Sequence, residues 1–574
     1  MNFGDLRHLL TQHPTHFTFI RICELLEEIY VEAPGQWEFE WVPYATEALA
    51  SWPDAVRYVD KARSVAMLAE RTPYSDIVTT LDLSDGGLVQ RRTATLAAAT
   101  HLRHIKRLDL RASGTNWKKL EALTQAPDLF EKLDFFALRM STGAKIDQRV
   151  LDLLFHTPWM AELQEFNTDG WSTFNATAAS LLGKAPCFST VKKLDLNSSK
   201  IGIKGSKALI STDPDHPLEE LDLGYTSLGA KVFTNLANAS FPNLRKLDLF
   251  NSVTTDSLAP LASAQNLGPL RELSLRRCSP ISADTLKELL DAPIASTLQR
   301  LDLHNCRMDH AHAEAIAASQ AITTLEHLRV TDNNFEDRGV KELAENAKNL
   351  ASLDLGFNNL TPKALEALAS APIAAKLERL ELHGNSVWVD GARIIAGGAF
   401  SNLRELGLML ASIDEDAVKE LASASALASV EHLELSNNRN VLSYYVYGAD
   451  WKKNTIDLES LELLANSPLF ANLKYLGLNA LGLTDESIER LLNISGFEFP
   501  DILNLRNNPL TPEFTATLRD AMAARGVELV ELRLGDYQLQ RAFQTLRAER
   551  AIILPSYAAL VEPHVARNID LADE

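Results

Sequence analysis

Four residues of one short stretch, His304, Cys306, His310 and His312, are of the types that ligate metals. A structural zinc site needs four side chains converging on one point. Here His304 reads as part of a strand face, and Cys306 falls in the turn behind it. His310 and His312 follow Asp309, a helix N-cap by type and position. We therefore expect no metal. The motifs of the common catalytic chemistries are missing too, with no Gly-x-x-x-x-Gly-Lys-Ser/Thr, His-Glu-x-x-His or Gly-x-Ser-x-Gly. No cysteine follows Cys306 that could serve as a late nucleophile. We expect no catalytic residue and no cofactor, and read the chain as non-enzymatic. What remains is the chemistry of recognition. Tyr444, Tyr445, Tyr447 and Trp451 stand close together, and such side chains supply large, rigid contact area at low entropic cost. The plainer alternative is a loop that folds back and uses its aromatics as a private core. Further candidates are spread along the chain: Tyr225, Phe250, Arg276, His304, His327, Phe357, His383, Met409, His432 and Tyr475.

These residues belong to a repeat that must position them. The phrase Leu-x-x-Leu-x-Leu recurs, as in Leu350-Ala-Ser-Leu353-Asp-Leu355. Seventeen copies end at Leu83, Leu110, Leu138, Thr168, Leu196, Leu223, Leu249, Leu275, Leu303, Val330, Leu355, Leu382, Leu408, Leu435, Leu478, Leu505 and Leu534. Successive copies lie 25 to 30 residues apart, with one step of 43 from Leu435 to Leu478. A unit this short cannot bury its own apolar face and must stack on its neighbours. The alternating apolar residues predict a short strand. The Ala- and Leu-rich runs that follow, such as Pro362–Ala371 and Glu415–Ala424, predict capped helices. Strand, turn and helix repeated in this way make a parallel sheet with helices on its other side. The fold class is thus α/β, a solenoid curved like a horseshoe with strands on the concave face and helices on the convex one.

With its Leu-x-x-Leu-Asp-Leu-x-x-Asn/Cys-x-Leu pattern and Ala-rich helices, the chain resembles the ribonuclease-inhibitor-like class of leucine-rich repeat proteins, in a bacterial-type form of unassigned role. The resemblance implies the fold strongly and the function weakly, because this fold serves many unrelated partners.

Around the repeats we expect a helical N-terminal cap over 1–76, the solenoid over 77–536, and a closing helix over 537–550 within a C-terminal cap and tail, 537–574. Trp37, Trp41 and Trp52 stand in the N-terminal region, either as cap core or as a docking surface; the cap is preferred. Three residues after the last Leu, a small polar slot holds Cys278, Cys306, Asn333, Asn358, Asn385, Asn438 or Asn508, and elsewhere Ser113, Ser141, Ser199, Thr226 or Ser252. This slot is expected to hydrogen-bond the backbone where the chain leaves the strand. The copy ending at Thr168 puts Phe166 and Thr168 in Leu slots and Trp171 in the polar one, so an irregularity is expected there. The long step is expected to be an insertion after Asn438, giving a loop over 439–456 beside the concave face.

Strand residues alternate faces, so Asp82, Asp109, Asp195, Asp222, Asp248, Asp302 and Asp354 share one inner slot. They read either as an acidic strip for a basic partner or as plain consensus neutralised by neighbouring Arg and Lys. The second is preferred, since like charges on adjacent strands destabilise. The net charge of −20 argues against nucleic acid and anionic membranes as partners. Four cysteines make no disulfide framework. With no secretory signal at the N-terminus, the expected setting is cytoplasmic. The expected function is a protein-interaction scaffold that engages its partner through the concave face and the 439–456 loop. The alternative is an enzyme regulator, either GTPase-activating-like or a neutraliser of a basic protein.

Overall fold

The computed structural model describes residues 3–88, 90–113, 115–140, 145–168, 170–210, 215–253, 257–437, 453–494, 500, 502–523, 527–531 and 550–554. Tyr444, Tyr445, Tyr447 and Trp451, like Ser141, Asn438, Leu534 and the span 537–549, lie outside the described residues. The chain forms two compact units. One comprises Met1–Ile281 with Glu288–Leu298, the other Ser282–Lys287 with Gln299–Glu574.

The first unit holds eight parallel strands: β1 (Thr80–Asp82), β2 (Arg107–Leu110), β3 (Phe135–Leu138), β4 (Glu165–Asn167), β5 (Lys193–Asp195), β6 (Glu220–Asp222), β7 (Lys246–Asp248) and β8 (Glu272–Ser274). Register is kept slot by slot, so that Leu194, Leu221, Leu247 and Leu273 stand side by side. These leucines and the next apolar residue of each copy, such as Leu196 and Leu249, are buried between sheet and helices. A slip of one residue would turn both columns to solvent, so the pattern fixes the register. The copy ending at Thr168 keeps its strand in register with both neighbours. Phe166 fills the Leu column and stacks on Phe136 at 6.2 Å, with Phe155 and Phe174 also against it. Trp171 is buried against Phe174. Larger side chains replace leucine here without breaking the ladder.

The same unit begins with helices at Phe3–Leu10, His16–Glu32, Val42–Ala48 and Lys61–Ala69. Thr15 and Asp60 cap two of them, accepting from the backbone N–H of Thr18 and Arg63. The Arg57 carbonyl accepts the N–H groups of Thr79 and Thr80, and Tyr58 bridges Thr80 in parallel. This segment therefore continues the ladder onto the edge of β1, which would otherwise present open backbone groups. Trp37, Trp41 and Trp52 are buried.

The second unit continues the pattern with β9 (Arg300–Asp302), β10 (His327–Arg329), β11 (Ser352–Asp354), β12 (Arg379–Glu381), β13 (Glu405–Gly407), β14 (His432–Glu434), β15 (Tyr475–Gly477) and β16 (Ile502–Asn504). Its helices start on Asp309, Thr361, Asp414, Asp457 and Thr484, each accepting from backbone N–H groups of the first turn. Beyond β16 the expected arrangement fails. β17 (Val527–Glu531) does not pair with β16; β18 (Arg550–Leu554) lies between them, parallel to both. Arg550, expected to end a helix, begins a strand, and residues 551–554 join the sheet. Among the described residues no helix is long and apolar enough to cross a membrane.

Candidate binding surface

Each repeat aims its side chains by the way it leaves the strand. The aspartate in the third strand position turns back on its own chain. Asp195, Asp222, Asp248, Asp302 and Asp354 each accept the backbone N–H two residues on. The residue after that adopts left-handed backbone, as at Ser198, Tyr225, Asn251, Asn305 and Phe357. Asp and Asn are the side chains that close such a turn. The shared aspartate is therefore first a structural device, which gives the consensus reading its physical reason. Tyr225 and Phe357 occupy a conformation that bulky residues rarely take.

Behind this turn runs the polar ladder. Asn333, Asn358, Asn385 and Asn508 each donate to main-chain carbonyls both of their own copy and of the preceding one. Cys278 Sγ donates to the Leu249 carbonyl at 3.0 Å and Ser252 to that of Leu223. Asn454 fills the slot that the sequence reading gave to Asn438. It donates to the carbonyls of Leu408 and Leu435 and accepts the N–H groups of Ala411 and Ile413. Asn437 and Asn454 exchange two hydrogen bonds of 2.8 Å. The insertion thus enters before the ladder residue rather than after it, and its two ends are clipped together at the strand exit.

On the strand face of the first unit, three sequence candidates meet. Tyr225 sets its ring edge-on to Phe250 at 4.6 Å, and the Arg276 guanidinium lies 4.7 Å from the Phe250 ring, with Arg277 at 5.8 Å. Tyr225 remains 39% exposed. Beside this cluster, Asp195, Asp222 and Asp248 stand in register on adjacent strands, about 4.8 Å apart by strand spacing. The expected neutralisation is missing at the second and third. Lys193 pairs with Glu220 at 2.7 Å and Lys246 with Glu272 at 3.5 Å. Among the described residues no lysine or arginine pairs with Asp222 or Asp248. Burial, and then the charges of Asp195 and Asp248, push the Asp222 carboxyl up to about 7.

On β10 to β13 of the second unit, strand-face charges are paired. Arg329 lies between Asp302 and Asp354 at 3.6 and 3.3 Å, and Arg379 reaches Glu381 and Glu405 at 3.1 and 3.0 Å. His383 fills the space over Gly356, where a Cβ would meet its ring. Burial disfavours its cation, but Asp354 and Glu381 outweigh that and hold its pKa above the ordinary value. Phe357 stands edge-on to His383 at 5.2 Å. Phe357 and Met409 are both buried and pack with Leu410, so these two candidates act as local core and not as open contact surface. His432 is exposed and stacks on Tyr475. The Tyr475 hydroxyl donates to Glu434 at 2.8 Å and accepts from Asn504 at 3.2 Å. His327 and His304 are half-buried on the same kind of strand face. Cys306 Sγ turns to the His304 carbonyl, and His312 pairs with Asp309 at 2.7 Å in a capping box. Sequence reasoning missed Glu434, Asn437 and Asn454. For Asn454 the signal was a second Asn followed, like the others, by an apolar residue and a helix.

A family model described as Leucine Rich repeat matches residues 321–344 and 346–369, covering β10 and β11 with their helices. Over 314 residues the chain is 29% identical to NACHT, LRR and PYD domains-containing protein 14 of Mus musculus; this is 52% of the chain but only 30% of that relative's length. Among solved structures, an internalin from Listeria monocytogenes has 15% identity and a TM-score of 0.36, over 72% of this chain and 93% of its own. TLR13 in its complex with ssRNA13 has 17% identity and a TM-score of 0.37, over 79% and 65%. By its repeat, its strand register and its polar ladder, the chain has the fold of a leucine-rich repeat protein.

Proposed function

We propose that this chain is a non-enzymatic scaffold that binds a protein partner across its strand face, with the 439–456 loop as a second contact. Leucine-rich repeat proteins generally act as interaction scaffolds, and a preformed sheet loses little freedom on binding. The observation that carries the reading is the open cluster of Tyr225, Phe250 and Arg276 beside the row Asp195, Asp222 and Asp248. Aromatic and arginine anchors dominate interface energetics, and a row of like charges is relieved by a cationic ligand. This favours a partner that is basic where it meets the first unit. The clip between Asn437 and Asn454 supports the loop's part, since it ties together the two described residues that flank the aromatic segment in sequence. The four described thiols are all buried and free, in keeping with a cytoplasmic setting.

The test is affinity capture from native lysate with three proteins. These are wild type, a face variant (Tyr225→Ala with Phe250→Ala), and a loop variant with Tyr444, Tyr445, Tyr447 and Trp451 changed to Ala. We expect one protein, retained stoichiometrically by wild type, to be lost from both variants. Retention by both would sink the reading.

A further inference from the structure

A second surface lies on the N-terminal helices. Half of the large hydrophobic side chains that stand exposed among the described residues fall between positions 30 and 44. Val31 and Phe39 are 80% and 81% exposed, Tyr30 and Tyr44 43% and 42%. Ring contacts join the two tyrosines to the tryptophans on either side of Phe39: Tyr30 meets Trp37 edge-on at 4.9 Å, and Trp41 meets Tyr44 at 6.0 Å. Trp37 and Trp41 face inward from a single turn, Trp37–Trp41, which leaves Phe39, between them, on the outside.

The charge carried by this segment itself is acidic. From Arg21 to Arg57 there is no intervening lysine or arginine, but there are seven glutamates. Three of them are matched by residues outside the segment or at its edge: Glu24 by Arg21, Glu27 by Arg63 at 3.1 Å and Glu38 by Arg71 at 3.7 Å. Glu28, Glu32, Glu40 and Glu47 are exposed and make no ion pair among the described residues. Glu28, Val31 and Glu32 share one helix face by their spacing, beside the face that buries Ile22, Leu25, Leu26 and Ile29. Two cations stand at the margin, Arg7 over the Trp41 ring and Arg71 over the Trp37 ring, each at 5.4 Å; Arg71 is already paired with Glu38 and Asp76.

Exposed apolar side chains gathered in one short segment and flanked by charge are the mark of an interaction site, and here the charge selects the occupant. An anionic membrane or nucleic acid is repelled, as is a second copy of a chain carrying a net charge of −20. We propose that the Val31–Phe39 surface docks a basic amphipathic helix of a partner protein, its apolar stripe on Val31 and Phe39 and its lysines or arginines facing Glu28, Glu32, Glu40 and Glu47. This site is separate from the strand face and does not depend on it.

The probe is a fluorescent synthetic peptide of about 18 residues, five helical turns, with leucines on one face and lysines on the other. A scrambled peptide of the same composition and a leucine/glutamate version serve as controls, all titrated against the full chain by anisotropy. Wild type should bind the amphipathic lysine peptide about tenfold or more tightly than the scrambled one, and the glutamate peptide not at all. Val31→Ser with Phe39→Ser should weaken binding to the scrambled level without moving the melting curve, since both side chains already lie in solvent. Glu28→Lys with Glu40→Lys should do the same through charge. Tyr225→Ala with Phe250→Ala should change nothing. Equal binding of both lysine peptides, or binding untouched by the serine and lysine variants, overturns the proposal. So does wild-type self-association that Phe39→Ser abolishes, because the occupant is then a second copy.

Discussion

Asp222 shows how one side chain can serve the fold and strain it together. Its carboxylate accepts the Gly224 N–H at 2.7 Å and closes the strand exit, yet burial and two neighbouring aspartates hold its pKa near 7, against an ordinary 3.8. A carboxyl whose folded value is raised binds its proton more tightly in the folded chain. The destabilisation is therefore absent below about pH 4 and complete above about pH 7. Asparagine can accept the same hydrogen bond without the charge. Asp222→Asn is expected to stabilise the protein by about 1–3 kcal/mol at pH 8 and by almost nothing near pH 3.5, read from denaturant melts at both pH values. A gain of equal size at both would remove charge as the cause. Asn454 is the opposite case, a side chain with every polar atom used. Asn454→Ala strands two carbonyls and two N–H groups in a buried position and is expected to cost about 2–4 kcal/mol. A neutral result would mean that another residue holds this rung.

Among elements, the strands were the most legible. The central residues of β1 to β16, from Leu81 to Leu503, sit where the repeat places them, because a two-residue alternation on a buried sheet tolerates no slip. The ladder was legible up to Asn438, where Ser436-Asn437-Asn438 imitates the consensus. Only the hydrogen bonds show that Asn454, beyond the insertion, closes the copy. β18 left no pattern to read, since its place in the sheet depends on pairing between distant segments and not on local periodicity. The candidate surface was half legible. Spacing told which residues face the strand side, but it could not tell that Phe357 and Met409 sink among neighbours while Tyr225 stays open. Helix packing sets a further limit that sequence does not display. At Gly183, which ends the helix Ala176–Leu182, an added Cβ would stand 2.2 Å from the Ala208 carbonyl oxygen, whereas at Gly229 it would meet nothing within 4 Å. Gly183→Ala is expected to destabilise by about 1–3 kcal/mol and Gly229→Ala by well under about 1 kcal/mol. Comparable melting temperatures for the two would show that the helix shifts freely at this contact.

For the molecule as a whole, repetition decides how damage spreads. In a compact globule, losing one core leucine weakens every element, because they share one core. In a stack of repeats each copy touches chiefly its neighbours, so stability is close to a sum of local and nearest-neighbour terms. Leu353 is the central residue of β11, buried, and in register with Leu328 and Leu380 on the two adjoining strands. Leu353→Ala removes about 2–5 kcal/mol by transfer and cavity terms together. Native-state hydrogen exchange should place that loss unevenly within the second unit. Amides of β10, β11 and β12 and their helices should lose most protection, and the loss should decline through β13 and β14 to near nothing at β16. A uniform loss across the unit would instead mean that its repeats unfold as one cooperative block. A graded result would leave a partner bound on distant repeats undisturbed by local opening, which is what a long binding face requires.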